Sequence, residues 1–380
     1  MKKTLFLLSI FSLMLFNCSS DDSNDENPIP ENENEYVILI PNATPLSVAE
    51  KTNNQVLLTY YDSSDNLNKI CQINENGEID WESDLQIGTN IWTSQLFIDD
   101  NNIFFFYIAN GSSGVDLAKL DLDGNLVSND FTTNQNYNNL NLRKSDNGFI
   151  AVNHESNSIQ YDEYSISGSL LNSYELNYSN SQSNLSNVIR KNNITYLFRN
   201  YNINSSFFYE DFDCKIFDSN GDLSNTITLT GLEEVGKIHS SFPITSNEIL
   251  MVTRENGTIG KTLNLDIFDS SGNVSSSVSY EDYGNAISLS PLSNNNICFL
   301  GQKGSSQNGK KLNFTVLNSN LEIVSEKYIG SLDNIGTFNL ANFESPNFHY
   351  IYGITDSETG DFDLPNNSTS TDLFIYRLNK

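Results

Sequence analysis

The sequence predicts an all-β fold, a seven-bladed β-propeller in which an N-terminal strand closes the last blade. Three observations carry this: a tight turn that recurs at near-constant spacing, four alternating strands around each turn, and an orphan strand at the front matched by a gap at the back. The turns are "NENG" ending at Gly77, "DLDG" at Gly124, "SISG" at Gly168, "DSNG" at Gly221 and "DSSG" at Gly272, with "NSNL" ending at Leu321 as a degenerate sixth copy. Successive copies lie 47, 44, 53, 51 and 49 residues apart, and a propeller blade of four strands occupies about 40 to 50 residues. Glycine ends such turns because it accepts positive φ without a Cβ penalty.

Each unit divides alike. The second reads "TSQLFI", "NIFFFYI", "VDLAKLD", "NLVSNDF"; the fifth reads "KIHSSFPI", "EILMVTR", "TLNLDIF", "NVSSSVSY". Alternation over short runs fits strands, and no helical period follows the first 17 residues. An isolated four-stranded sheet leaves both faces wet, whereas radial packing buries them against neighbours. The last unit supplies only three strands, at "TFNLANF", "NFHYIYGI" and "DLFIYRLNK", and "EYVILI" at 35–40 precedes the first unit without a partner. Pairing that strand with the last unit gives seven blades over 35–380. A two-sheet sandwich array is the alternative.

Residues 1–17 read as a secretory signal: Lys2 and Lys3 precede the apolar run "TLFLLSIFSLMLF", whose thirteen residues are too few to span a bilayer. "LFNC" resembles a bacterial lipobox, with Asn17 where a small residue is usual, and "CSSDDS" resembles the acidic export signal of Bacteroidetes-type surface-exposed lipoproteins. The resemblance implies lipidation (palmitate among the acyl groups) at Cys18, an anchor in the outer membrane and display on the cell exterior. Two acyl chains hold stably. Residues 18–34 then form the lipidated cysteine and a solvated acidic tether, and 35–380 the propeller domain.

The 380-residue chain carries a formal charge of −28. A polyanion of this size is repelled by nucleic acid, so no nucleic-acid partner is expected; the membrane is met through the anchor, and a monomer is expected. Beyond Cys18 only Cys71, Cys214 and Cys298 remain, each in an apolar run and at no zinc spacing. They read as small core residues.

The stretch 353–380, "GITDSETGDFDLPNNSTSTDLFIYRLNK", resembles the bacterial β-propeller repeat, with its Gly-x-Thr opening, Asp-Phe middle and Asp-x-Phe-x-x-x-Leu-Asn close. The resemblance supports the fold and implies no activity, because propellers host many functions.

In a propeller, A–B and C–D turns share one rim and B–C and D–A connections the other. Here the long connections are B–C: 200–211, 255–261, 302–310 and 355–372. Long loops on a rigid scaffold are where binding sites sit, so the B–C/D–A rim is the expected working face. Near it lie Tyr137, Tyr201, Phe207, Phe208, Tyr209 and Tyr283, candidates for stacking on sugar rings or a protein partner. The competing reading is that Phe208 and Tyr209 open a strand and pack inward. Asp356, Glu358, Asp361 and Asp363 offer hard-cation ligands, calcium foremost, against the simpler reading of a solvated acidic loop. "DLDGNL" and "DSNGDL" lack the rest of a calcium loop and are turns. No other cofactor is implied.

Signals for catalysis are few. Three histidines occur, His154, His239 and His349, and "HESNS" has Ser158 where a zinc protease needs its second histidine. There is no nucleophile elbow and no phosphate-binding loop. Glu50 and Glu344 are scattered carboxylates on inner strands, where propeller glycosidases place their pair. The expectation is a non-catalytic binding or scaffold module for glycan or protein; the alternative is a secreted polysaccharide hydrolase or lyase using Glu50 and Glu344.

Overall fold

A computed structural model describes residues 35–380 apart from 53, 89, 111–113, 133–139, 146–147, 155–157, 178–183, 204–208, 230–234, 246, 256–261, 282, 304–310, 330–337, 356–361 and 363–371; for some flanking strand residues only the backbone is described. No helix among the described residues is long and apolar enough to cross a membrane.

The strands form seven four-stranded antiparallel sheets. Blades 1 to 6 cover 43–85, 91–132, 140–177, 184–229, 235–281 and 283–329, each with strands A to D in chain order. Blade 7 takes strands A to C from Phe338–Glu344, Phe348–Thr355 and Asp372–Asn379, and its outer strand D is Tyr36–Ile40. The expected closure is therefore the one observed, in the register Tyr36 with Arg377 through Ile40 with Leu373.

Why these segments are strands follows from where they sit. One apolar cluster fills each of the seven blade interfaces: Phe198, Phe212 and Cys214 of blade 4, for example, meet Ile249, Met251 and Phe268 of blade 5. A middle strand is buried on both faces, so its sequence is a continuous apolar run such as Ile103–Ala109, "IFFFYIA". The outer strands are wet, and Leu223–Leu229 reads "LSNTITL" with five of its residues exposed. The inner strands carry Ser and Asn because those side chains tie neighbours together. Ser94 Oγ donates to Leu46 O at 3.0 Å, Asn187 Nδ2 to Ser241 O at 2.7 Å and Asn342 Nδ2 to Ser290 Oγ at 2.6 Å.

The C–D turns repeat one geometry. Asp218 Oδ1 accepts the N–H groups of Asn220 at 2.9 Å and Asp222 at 3.0 Å, while its carbonyl accepts that of Gly221 at 3.1 Å. Gly221 has φ +83°, and a Cβ there would lie 1.2 Å from Tyr174 Cε1 of the preceding blade. The glycine thus satisfies both the left-handed turn and the blade contact. In the sixth copy Leu321 holds φ 64° and is 1% exposed, packed between blades 5 and 6. Burial of a leucine side chain, worth about 2 kcal/mol, exceeds the roughly 1 kcal/mol cost of the left-handed backbone.

The seam of the ring has its own fastenings. The Arg377 guanidinium, 3% exposed, lies between the Tyr36 ring at 4.1 Å and the Phe348 ring at 4.4 Å. Glu35 accepts the Asn379 N–H at 3.3 Å and pairs with Lys327 of blade 6 at 2.5 Å. Asn42 N–H donates to Asp372 Oδ1 at 3.0 Å just beyond the closing strand. Cys71, Cys214 and Cys298 are free and buried, and burial pushes each thiol up, as expected of core residues.

Candidate functional site

Antiparallel connectivity sorts the connections onto two rims. The A–B/C–D rim is built from tight turns stitched across blades. Lys191 Nζ donates to the carbonyls of Pro243 at 3.4 Å and Ile244 at 3.3 Å, and Lys51 Nζ to Gln72 Oε1 at 2.5 Å and Leu122 O at 3.2 Å. At the seam, Asn347 Nδ2 donates to Asn54 Oδ1 at 3.2 Å and the Tyr350 hydroxyl to Asn54 O at 3.3 Å.

Glu50 and Glu344, the two inner-strand carboxylates, are the last residues of strand A in blades 1 and 7 and belong to this stitching. Glu344 accepts the Ser293 N–H at 2.5 Å and its hydroxyl at 2.7 Å, and Lys380 lies 2.7 Å away. Burial raises the Glu344 carboxyl, but Lys380 and Ser293 outweigh it and hold the group below its usual value. Burial likewise raises Glu50, and there the opposing hydroxyl of Ser345 and charge of Lys380 are too weak to reverse it. Each glutamate reaches back to a serine in the A–B turn of the preceding blade. The two carboxyls are thus shifted in opposite directions.

On the opposite rim, blade 1 holds a cluster of charges. Lys69, its side chain 10% exposed, lies 2.9 Å from Asp62, 2.6 Å from Asp65 and 3.6 Å from Glu82. The hydrogen bonds it donates to Asp65 and Asp62 raise the ammonium above its usual value and hold Lys69 in its charged form. The Tyr60 hydroxyl donates to Glu82, and that of exposed-side Tyr61 to Asn66 Oδ1 at 2.7 Å. Asn68 Nδ2 fixes the following connection through Gly88 O at 2.6 Å. Sequence reading missed this group, although Asp65 and Lys69 stand four apart in "DSSDNLNK" beside Asp62.

Of the predicted ligand residues, Tyr201 lies within Ile194–Ile203, Tyr209 opens Tyr209–Phe217 and Tyr283 opens Tyr283–Pro291, with only their backbone described. Tyr209 does begin strand C, as the competing reading had it. Cys18, Tyr137, Phe207, Phe208, Asp356, Glu358, Asp361 and Asp363 lie outside the described residues. Between the last two, Phe362 is described: it is fully buried, with its ring 5.1 Å from that of Phe374 at the interface of blades 6 and 7. The Phe of the Asp-Phe pair is thus a core anchor. Among the described residues no group of three or more His, Cys, Asp or Glu side chains is placed to hold a metal ion.

Two further ion pairs are buried, one within a blade and one between blades. Arg199 forks onto Asp213 within blade 4, and Arg190 of blade 4 meets Glu163 of blade 3 at 3.0 Å, with side chains 3% and 1% exposed. Thr195 Oγ1 accepts from Arg190 at 2.8 Å and Asn172 Nδ2 donates to Glu163 at 2.9 Å.

No protein-family model matches the chain, and no curated protein matches it in sequence. Solved structures that share its outline include a catalytically inactive virginiamycin B lyase from Staphylococcus aureus, crystallised with quinupristin, at TM-score 0.48 and 14% identity over 90% of this chain and 99% of that one. The AfRom2 CNH domain gives TM-score 0.49 and 9% identity over 92% of this chain and 98% of the other. The WD40 domain of SCAP from fission yeast gives 0.43 and 10% over 91% and 98%. At these identities the likeness concerns shape alone, and the seven-bladed β-propeller rests on the strand pairing itself.

Proposed function

We propose that the protein is a surface-displayed binding or scaffold module, held in the outer membrane by lipid on Cys18 and engaging a glycan or a protein through its B–C/D–A rim. The observation that carries this is the asymmetry of the rims. The A–B/C–D rim spends its polar side chains on stitching blade to blade, as at Glu344 with Ser293 and Lys191 with Pro243. The other rim receives the long connections, such as those between Thr355 and Asp372 and between Lys303 and Lys311. A rigid ring with one rim committed to its own cohesion presents the other to a ligand.

The test is binding of the full chain to arrayed polysaccharides and to surface-protein fractions. Alanine at Phe207, Phe208 and Tyr209, or excision of 356–371 around a retained Phe362, is expected to weaken binding at least tenfold. Binding unchanged in both variants would refute the assignment of the face. Protease shaving of intact cells tests display: a fully protected protein would refute it. A polysaccharide hydrolase or lyase is the second reading, favoured by the opposed environments of Glu50 and Glu344. Turnover abolished by Glu50→Gln and by Glu344→Gln would establish it in place of the first.

A further inference from the structure

We propose that His349 is an acid-sensitive catch between blades 6 and 7, holding their shared rim while neutral and loosening it on taking a proton. His349 is the second residue of strand B of blade 7 and is 7% exposed. Its ring lies 5.2 Å from that of Phe314 in blade 6, at an interface whose apolar cluster includes Leu292, Leu312, Ile351 and Leu378. Nδ1 is buried and makes no hydrogen bond within the described structure. A neutral imidazole tolerates such a seat as an aromatic filler. An imidazolium does not, because both ring nitrogens then carry donors and one of them faces no acceptor.

The charged and titratable neighbours make protonation consequential. On the same blade, Glu344 is His349's direct partner in the A–B register, and Lys380 lies beyond the paired strand C. From blade 6 come the Ser293 turn, which carries no charge, and the Cys298 thiol, which burial and Glu344 keep protonated. Among the described residues Glu344 is the carboxylate that acts on the imidazole, and it is already engaged by Ser293 and Lys380. A proton on His349 draws Glu344 away from Ser293, loosening one of the ties between blades 6 and 7 at this corner, beside that from Asn342 Nδ2 to Ser290 Oγ.

Burial lowers the imidazole from its usual value; Glu344 opposes this and Lys380 adds to it. The folded state thus binds the proton less well than the unfolded chain does. Stability is whole above about pH 6.5 and is lost as pH falls toward the folded value, with the unfolding constant rising roughly tenfold for each unit of depression.

The experiment follows unfolding of the full chain by urea between pH 7.5 and 5.0 in the native protein and in His349→Phe, which keeps a ring against Phe314. The variant is expected to lose distinctly less stability over this range, while His154→Gln and His239→Gln keep the native slope. Equal slopes in His349→Phe and the native protein would overturn the proposal. An independent reading comes from NMR titration of His154→Gln/His239→Gln, in which His349 is the sole imidazole. A midpoint below 6.5, with amide exchange quickening first over 338–344, is expected; a midpoint at or above 6.5 would overturn it.

Discussion

Replacing Tyr36 with leucine removes one face of the Arg377 sandwich while keeping an apolar side chain in the closing strand. Tyr36 is 8% exposed, and its ring stands 4.1 Å from the guanidinium. It also packs on Gly77 of blade 1, where a Cβ would lie only 2.7 Å from the ring. A desolvated cation–π contact contributes about 2 kcal/mol, and the lost aromatic area adds roughly 1 kcal/mol. Tyr36→Leu is therefore expected to cost about 3 kcal/mol. Arg377→Met gives up both ring contacts but relieves a buried charge, so its own cost is smaller, about 1 kcal/mol. The double variant is the informative one: with the cation gone, the tyrosine loses its special partner. A coupling of about 1–2 kcal/mol is expected from the cycle. Urea unfolding monitored by fluorescence and by circular dichroism measures it, with an m-value unchanged between variants because the same surface is exposed each time. Additivity within roughly 0.5 kcal/mol would refute the idea that this stack holds the ring shut.

Other outcomes follow from the same packing. Phe362→Ala empties a fully buried site beside Phe374 and is expected to cost about 3–5 kcal/mol by denaturant titration, despite its place in the sequence between Asp361 and Asp363. Leu321→Gly relieves a left-handed residue yet is expected to destabilise by about 1–3 kcal/mol, because the buried side chain outweighs the backbone relief; Gly221→Ala at the sister turn, with Tyr174 in the way, is also expected to destabilise. Glu163→Gln strands Arg190 in the interface of blades 3 and 4 and is expected to cost about 3–5 kcal/mol, whereas Arg190→Met with Glu163→Leu recovers most of that loss in the same assay.

Much of this architecture was legible in one dimension because the blade is a local object. Its turn chemistry writes Asp, Asn or Ser, then glycine, at a fixed offset, and all six copies take a positive φ, with glycine in five and Leu321 in the sixth. Middle strands are recognisable as unbroken apolar runs because two neighbours cover them. The match of "EYVILI" to the missing fourth strand needed only counting. What stayed hidden depends on which blade sits beside which. Glu50 and Glu344 look like strays in the sequence, since the serines they reach belong to other units, Glu344's lying 51 residues back in the chain. The three carboxylates about Lys69 come from strands B and D and the turn between B and C, so no local window contains them all. Leu321 reads as a defect until its burial between blades is seen.

The closing strand has a consequence for how the chain is made. Tyr36 leaves a ribosome some 340 residues before its partner Arg377, so blade 1 and the first strand exist for most of synthesis with one sheet face uncovered. Contacts of such sequence separation form late and slowly. Every earlier interface is between consecutive blades, whereas this one awaits nearly the whole chain. A nascent molecule is thus an open arc, and a truncated product retains an exposed, aggregation-prone edge at each end of it. Completion is reported by a single event, the docking of five residues.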